Sequence, residues 1–388
     1  MNASEMLRNH RLLLRSAFAA VHALAWIFVF EYFFIRNGDL GVSIARVALL
    51  YALSQTATCL LTPLTVRGLR HGMKREIILG VLAGAAAFVS LGALFDGFFG
   101  ALYPLAVVLF AFLLGLYRAL YWVPYEVENH EMQARRVYLT YEVFVALMPV
   151  FACYMLAYDG VRESWLLFAA GAVMILSLLP VAGVPDAYEK FPWGYRETFG
   201  HLFSRAHRRL FFAAVIDGIQ GAALLLLWPL AVFLIIGWSY PLFGLIFSFT
   251  LLLIIVARGW MALAMRRMNI HDSLPVRVAL VSSAWVGRLF VLNPISVVIA
   301  DSYAHAGNPK ISIDHPAFEQ ASDAGHYIDQ YTTLREIGLT FGRIGLCLIV
   351  ALATGILPLP LVFGTAFVIA GISAGLSVIL SHAHRQSI

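Results

Sequence analysis

The side chains able to do chemistry in this 388-residue sequence are ionisable groups set inside long apolar runs. They are Glu31, Arg46, Arg118, Glu142, Asp217, Arg288, Asp301, Lys310, Asp314, Glu336 and Arg343, with His22, His305 and His315. An ion at the centre of a bilayer costs about 2.5–3.5 kcal/mol on insertion scales, so such groups must be paired, turned into water or neutral. Counting about 1.5 Å per residue along each run sorts them by depth. Asp217, Gln220, His305 and Arg343 fall near the middle, with Asp301 slightly to one side, and form the candidate solute and coupling site. A carboxyl in low dielectric and an imidazole both exchange protons near neutral pH, which makes Asp217 and His305 candidate proton carriers. Arg343 stays charged and suits gripping an anionic group or holding a carboxylate in place. Each of these groups has an equally simple reading as a satisfied hydrogen bond between helices. Glu31 and Arg46 fall toward one end and read as an ion pair. Arg118 with Glu142, and Lys310 with Glu336, read as two cation and acid pairs near the other end, permanent or separating as a gate.

The elements that position these groups follow from composition. The chain is 61% hydrophobic and only 13% charged, against about 25% charge in a soluble globular protein. That excludes a water-soluble enzyme, a disordered chain and a basic nucleic-acid binder, and it predicts an all-α, polytopic membrane protein. Apolar stretches at 12–35, 42–66, 76–95, 101–124, 139–158 and 164–184 are followed, after a polar connection, by 209–236, 241–264, 274–292, 295–318, 334–356 and 360–380. Each is long enough to cross a bilayer, giving twelve spans. With both termini in the cytoplasm, only Arg36 and Arg162 fall on the outer side, Arg46, Arg118, Arg288, Lys310 and Arg343 lie within spans, and the rest of the 27 basic residues are inside. That asymmetry is the usual one for cytoplasmic loops, here of a bacterial inner membrane. Cys59, Cys153 and Cys347 all lie in apolar runs and read as buried thiols rather than a disulfide or zinc framework. Residues 198–210 carry Phe199, Leu202, Phe203, Ala206 and Leu210 on one face, which reads equally as an amphipathic helix on the inner leaflet, with Trp193 and Tyr195 at headgroup level, or as an irregular linker.

The six-plus-six pattern also repeats in sequence. Shifting the chain by 192 to 194 residues places Phe18-Ala-Ala-Val21 on Phe212-Ala-Ala-Val215, Arg118 on Lys310, Pro124 on Pro316 and Glu142 on Glu336. The expected domains are residues 1–184 and 209–388, related by a pseudo-twofold axis, with 185–208 as a cytoplasmic linker. Between the second and third segments, Arg70, Gly72, Lys74 and Arg75 match part of the basic loop signature of the major facilitator superfamily, while Thr65 and Leu69 stand where that signature has Gly and Asp. The chain resembles that superfamily. Tyr121-Trp-Val-Pro-Tyr125, Asp217-Gly218 with Leu227-Trp-Pro-Leu230, Trp285-x-x-Arg288 and Leu334 to Arg343 make it similar to the YqgE-like and related uncharacterised permeases. The resemblance implies a monomeric secondary transporter without cofactors, in contact with membrane lipid, moving a small polar or charged solute by alternating access. Proton coupling is the preferred mechanism, and a transport-inactive scaffold or receptor of the same fold is the alternative.

The tenth segment stands apart. From Asp301 onward it is too polar to face lipid, and Gly307-Asn308-Pro309 interrupts a regular helix. Broken backbone at membrane depth is tolerated where protein or a water-filled cavity surrounds it, so this segment is expected to line a cavity as a broken helix, with a re-entrant or external loop as the alternative. Asp301 with His305, Asp314 with His315, and His382 with His384 also offer metal ligands, which makes transition-metal transport a lesser reading. No nucleophile, zinc-protease or phosphate-loop spacing appears, so an enzyme is not expected.

Overall fold

Helix is the only regular structure among the residues that the computed structural model describes, namely 3–131, 139–158, 161–186, 188, 190–267, 274–307 and 328–386. In an apolar medium each backbone N–H and C=O must be satisfied within its own segment, which a helix does locally. In chain order the elements are α1 Ala3–Asn37, α2 Leu40–Thr65, α3 Met73–Phe95, α4 Tyr103–Glu131, α5 Leu139–Ala157, α6 Glu163–Leu176 and its short continuation α7 Leu178–Ala182. They continue as α8 Tyr195–Leu202, α9 Arg208–Ala222, α10 Trp228–Ile235, α11 Tyr240–Arg267, α12 Leu274–Gly287, α13 Pro294–Gly307, α14 Ile328–Ala353 and α15 Leu359–Gln386. Among the described residues, ten stretches are long and apolar enough to cross a membrane, the mark of a multi-pass membrane protein. α12 and α13, 14 residues each, occupy the ninth predicted segment and the start of the tenth. Lys310, Asp314, His315 and Pro316 lie outside the described residues.

Among the boundaries that differ from expectation, two have a clear tertiary reason. The first helix begins at Ala3, well before the apolar run, because its polar first turns find partners. His10 is buried, with Nδ1 2.8 Å from the Ser177 carbonyl and Nε2 3.2 Å from the Tyr121 hydroxyl, and the Arg11 guanidinium lies over the Tyr125 ring. The expected helix over 198–210 is instead α8, from Tyr195 to Leu202, followed by turns before α9. Glu197 accepts from the Gly194 N–H and starts α8 early. Leu202 is buried with Cys59, Phe211, Leu334 and Ile337, which seats α8 on the bundle.

Two antiparallel seams join early helices to late ones. α2 packs on α14 and α5 packs on α11. In the first, Gly41 faces Thr354 and Gln55 meets Arg343. In the second, the Val150 N–H donates to Ser248 Oγ at 2.9 Å, and a Cβ on Gly244 would lie 2.6 Å from the Pro149 carbonyl oxygen. Small residues let backbones approach this closely where no hydrophobic force drives helices together. Within the later part of the chain, α9 and α14 make the same kind of contact through Gly218, Gly338 and Gly342. The four-residue spacing of Gly338 and Gly342 puts both on one face of α14.

A methyl group on Gly342 would overlap the Val215 carbonyl oxygen and the Ile219 nitrogen, both backbone atoms of α9, whereas one on Gly345 would meet nothing. Gly342→Ala therefore destabilises by about 1–3 kcal/mol through overpacking, and Gly345→Ala is neutral or stabilising through helix propensity. Thermal unfolding of the detergent-solubilised variants measures both, and equal effects at the two positions would contradict the packing described.

Candidate functional site

Where α1, α2, α4, α9 and α14 come together, the bundle encloses a charged cluster. Arg118 of α4 forms an ion pair with Glu336 of α14 at 2.9 Å, with Nε donating to Oε2 at 3.0 Å and Nη2 to Oε1 at 3.3 Å. Glu336 and Arg343 stand seven residues apart on α14, two turns on one face, so both meet the same neighbours. Arg343 is 5% exposed, and its Nη1 donates to Gln55 Oε1 of α2 at 3.0 Å. Its enclosed Nε has no hydrogen-bond partner among the described residues. Tyr51, one turn before Gln55, is buried and interacts electrostatically with both Arg343 and Arg118. His22 of α1 lies in the fields of the same two arginines, and its Nδ1 is also enclosed without a partner.

α9 reaches this cluster through Gly221. Immediately after it, Ala223–Leu227 widen into a π turn. Pro229 lacks the N–H that a regular turn would donate to the carbonyl four residues earlier, which accounts for the local widening. Such π turns recur at functional sites.

The midplane residues expected from sequence do not converge on one place. Asp301 is buried and closed off, its Oδ1 bound by Arg288 Nη2 at 2.9 Å and its Oδ2 by Trp228 Nε1 at 3.0 Å. The Arg288 guanidinium in turn lies between the Trp228 and Trp285 rings, 5.0 and 4.3 Å from their centroids. This cluster ties α10, α12 and α13 together through a neutralised pair and cation–π contacts. His305 is exposed on α13 and its Nδ1 bonds to the Asp301 backbone carbonyl at 2.8 Å, whereas both Asp301 carboxylate oxygens are bound by Arg288 and Trp228. Asp217, half-buried on α9, accepts from Ser377 Oγ of α15 at 2.8 Å. Gln220 is half-buried on the same helix.

The expected ion pairs are also rearranged. Arg118 takes Glu336 in place of Glu142, because the α4 and α14 faces meet while Glu142 lies within reach of Arg15 on α1. Lys310, the expected partner of Glu336, is outside the described residues. Glu31 accepts from the Tyr240 hydroxyl at the start of α11. Arg46, exposed, lies over the Phe33 ring at 5.4 Å, so the Glu31 and Arg46 pair does not form.

In the basic loop, Gly72 has a φ of 114° that favours glycine, and a Cβ there would strike the Asp186 carboxylate. Asp186 accepts from the Lys74 N–H at 3.1 Å, and Lys74 Nζ donates to the carbonyls of Ala182 and Val184. An acid from beyond α7 thus fastens the loop from which Leu69 withholds one. Arg70 is exposed, and Arg75 with it. The site residues that sequence reasoning missed are Tyr51, Gln55, Tyr240 and Asp186. Tyr51 and Gln55 at four-residue spacing on one helix face were a usable signal, whereas nothing local marks Tyr240 or Asp186.

No family model and no curated protein sequence matches the chain. Among solved structures it is similar to a D-xylose-proton symporter (TM-score 0.66, 11% identity, 97% of this chain and 96% of that one). It is likewise similar to a POT family transporter in complex with 5-aminolevulinic acid (0.63, 12%, 99% and 95%). A third is a bacterial homologue of the human drug peptide transporters (0.62, 14%, 100% and 99%). At these identities the likeness is one of fold, and the fold is of the major facilitator type.

The central pair gives a direct test. Glu336→Gln strands the Arg118 charge and lowers stability by about 3–5 kcal/mol. Replacing both, as Arg118→Met with Glu336→Leu, recovers most of that loss. A double-mutant cycle on thermal unfolding measures the coupling, and purely additive effects would show that the two side chains do not depend on each other.

Proposed function

We propose that this chain is a secondary transporter that moves a small polar or charged solute across a bacterial cytoplasmic membrane by alternating access. In this reading it has twelve spanning helices in two pseudo-twofold halves, residues 1–184 and 209–388, joined by a cytoplasmic linker at 185–208. α12 and α13 then belong to the ninth and tenth spans, and both termini are cytoplasmic. The protein works as a monomer surrounded by lipid, as a transporter rather than an enzyme. Its place among the YqgE-like permeases rests on the motifs at Tyr121–Tyr125, Leu227–Leu230 and Leu334–Arg343.

The observation that carries this reading is the buried charged cluster beside the α2 and α14 seam, where Arg118 and Glu336 come from distant parts of the chain. A charge pair across such a seam fixes the helix register in one state and is a contact that parting halves can break and re-form. Transporter folds of this type hold solute near the midplane between their halves. The neighbours named as peptide transporters and a xylose-proton symporter support the same class and make proton coupling the natural driving force. Protons are assigned to Asp217, which holds Ser377 beside the π turn, and to His305 on α13.

Reconstituted into proteoliposomes, the protein takes up at least one member of a labelled panel of dipeptides, pentoses and organic acids. Uptake accelerates under an imposed pH gradient, and Asp217→Asn abolishes that acceleration. Flux indifferent to both the gradient and the substitution would remove proton coupling. Solute binding without flux would instead make the chain a receptor or scaffold of the same fold.

A further inference from the structure

The charges of the central cluster do not balance. Glu336 is committed to Arg118 at 2.9 Å, and the oxygen within hydrogen-bond distance of Arg343 is the neutral amide of Gln55. Arg335, nearby on the same helix, adds positive potential at both Glu336 and Arg343. A guanidinium carries five N–H donors in a planar fork and no acceptor. On Arg343 the edge formed by Nε and Nη2 faces Gly221. A Cβ there would lie 3.4 and 3.6 Å from those nitrogens and 3.9 Å from Cζ, in line with the fork. Glycine leaves that edge without an acceptor side chain, and Nε is enclosed with no partner. Nδ1 of His22, in the field of the same arginine, is enclosed without a partner too.

Arg343 feels Glu336 as well, but that one acid is hydrogen-bonded to Arg118 and serves two arginines, so the cluster keeps an excess of positive charge and is suited to a ligand that brings the missing negative charge. We propose that Arg343 is the anion-binding residue of this protein, that Gln55 positions its guanidinium, and that the solute carries one compact oxyanion, carboxylate or phosphoryl. Arg343 and Gln55 both stand near the middle of their helices, α14 and α2. That depth favours a soluble anion over a lipid headgroup, whose phosphate stays at the membrane face. The proposal rests on the transporter reading for its biological meaning, and its test does not need transport.

The purified protein in lipid-free detergent is titrated with sodium acetate, phosphate and glycerol 3-phosphate, and with acetamide and glycerol as neutral counterparts, at constant ionic strength in chloride. Thermal unfolding is the readout. At least one oxyanion raises the midpoint saturably and the neutral compounds do not. Gln55→Glu is the decisive variant, because it sets a carboxylate against Arg343 while preserving side-chain size. It unfolds at or above the wild-type temperature without ligand, and its apparent affinity for the oxyanion falls about tenfold or more. Arg343→Gln loses the response altogether. An oxyanion response that persists undiminished in Gln55→Glu, equal stabilisation by the neutral compounds, or no saturable response to any oxyanion would each overturn the proposal. Oxyanion binding in a protein without flux would keep this assignment and sink the transporter reading, whereas uptake of a neutral solute alone would do the reverse.

Discussion

Two opposite charges, Arg118 and Glu336, meet at 2.9 Å inside a largely apolar helical bundle. Taken from water, either alone costs several kcal/mol, and the Coulomb attraction repays this only when geometry is good and further hydrogen bonds complete the pair. The pair therefore holds α4 to α14 at one register. The α2 and α14 seam lies beside it, so the contact of Gln55 with Arg343 is brought into line by the same packing. The site's electrostatics follow: one acid is spent on one arginine, and a second arginine is left with an amide.

The same constraint organises the other buried charges. Asp301 is satisfied by Arg288 and Trp228, and Arg288 by two indole faces as well. Glu31 is held by Tyr240 and Asp217 by Ser377, each from a different helix. In a medium where apolar surfaces gain nothing by leaving solvent, such polar contacts and close glycine packing supply much of the specificity between helices. The glycines of α9 and α14 and the charge pairs thus do complementary work: the first set distance, the second set register.

Much of the architecture was legible along the chain. A span must be about twenty apolar residues, so hydropathy alone located the helices to within a few residues, from α2 at Leu40–Thr65 to α11 at Tyr240–Arg267. The errors fell where polar residues extend or cut a helix through tertiary partners, as at His10 in α1 and Leu202 in α8. Of the site, Arg118, Glu336 and Arg343 were recognisable because ionisable residues in apolar runs stand out. Gln55 and Tyr51 offered only the weaker signal of their four-residue spacing, since neutral polar residues in a span are common and need no special partner.

What the sequence by itself determined is which residues are forced into a low-dielectric interior and on which helix each one rides, because both depend only on local composition and helical geometry. The proposed duplication would make Arg118 equivalent to Lys310 and Glu142 to Glu336. Equivalence is not contact, however, and the expected pairs were drawn among neighbouring helices. Only the tertiary structure decided that Arg118 reaches Glu336 and that Arg343 is left to an amide. The reason is physical: a buried charge takes the nearest counter-charge in space. Which counter-charge is nearest depends on the seams between helices far apart in sequence, which glycine packing and side-chain shape select.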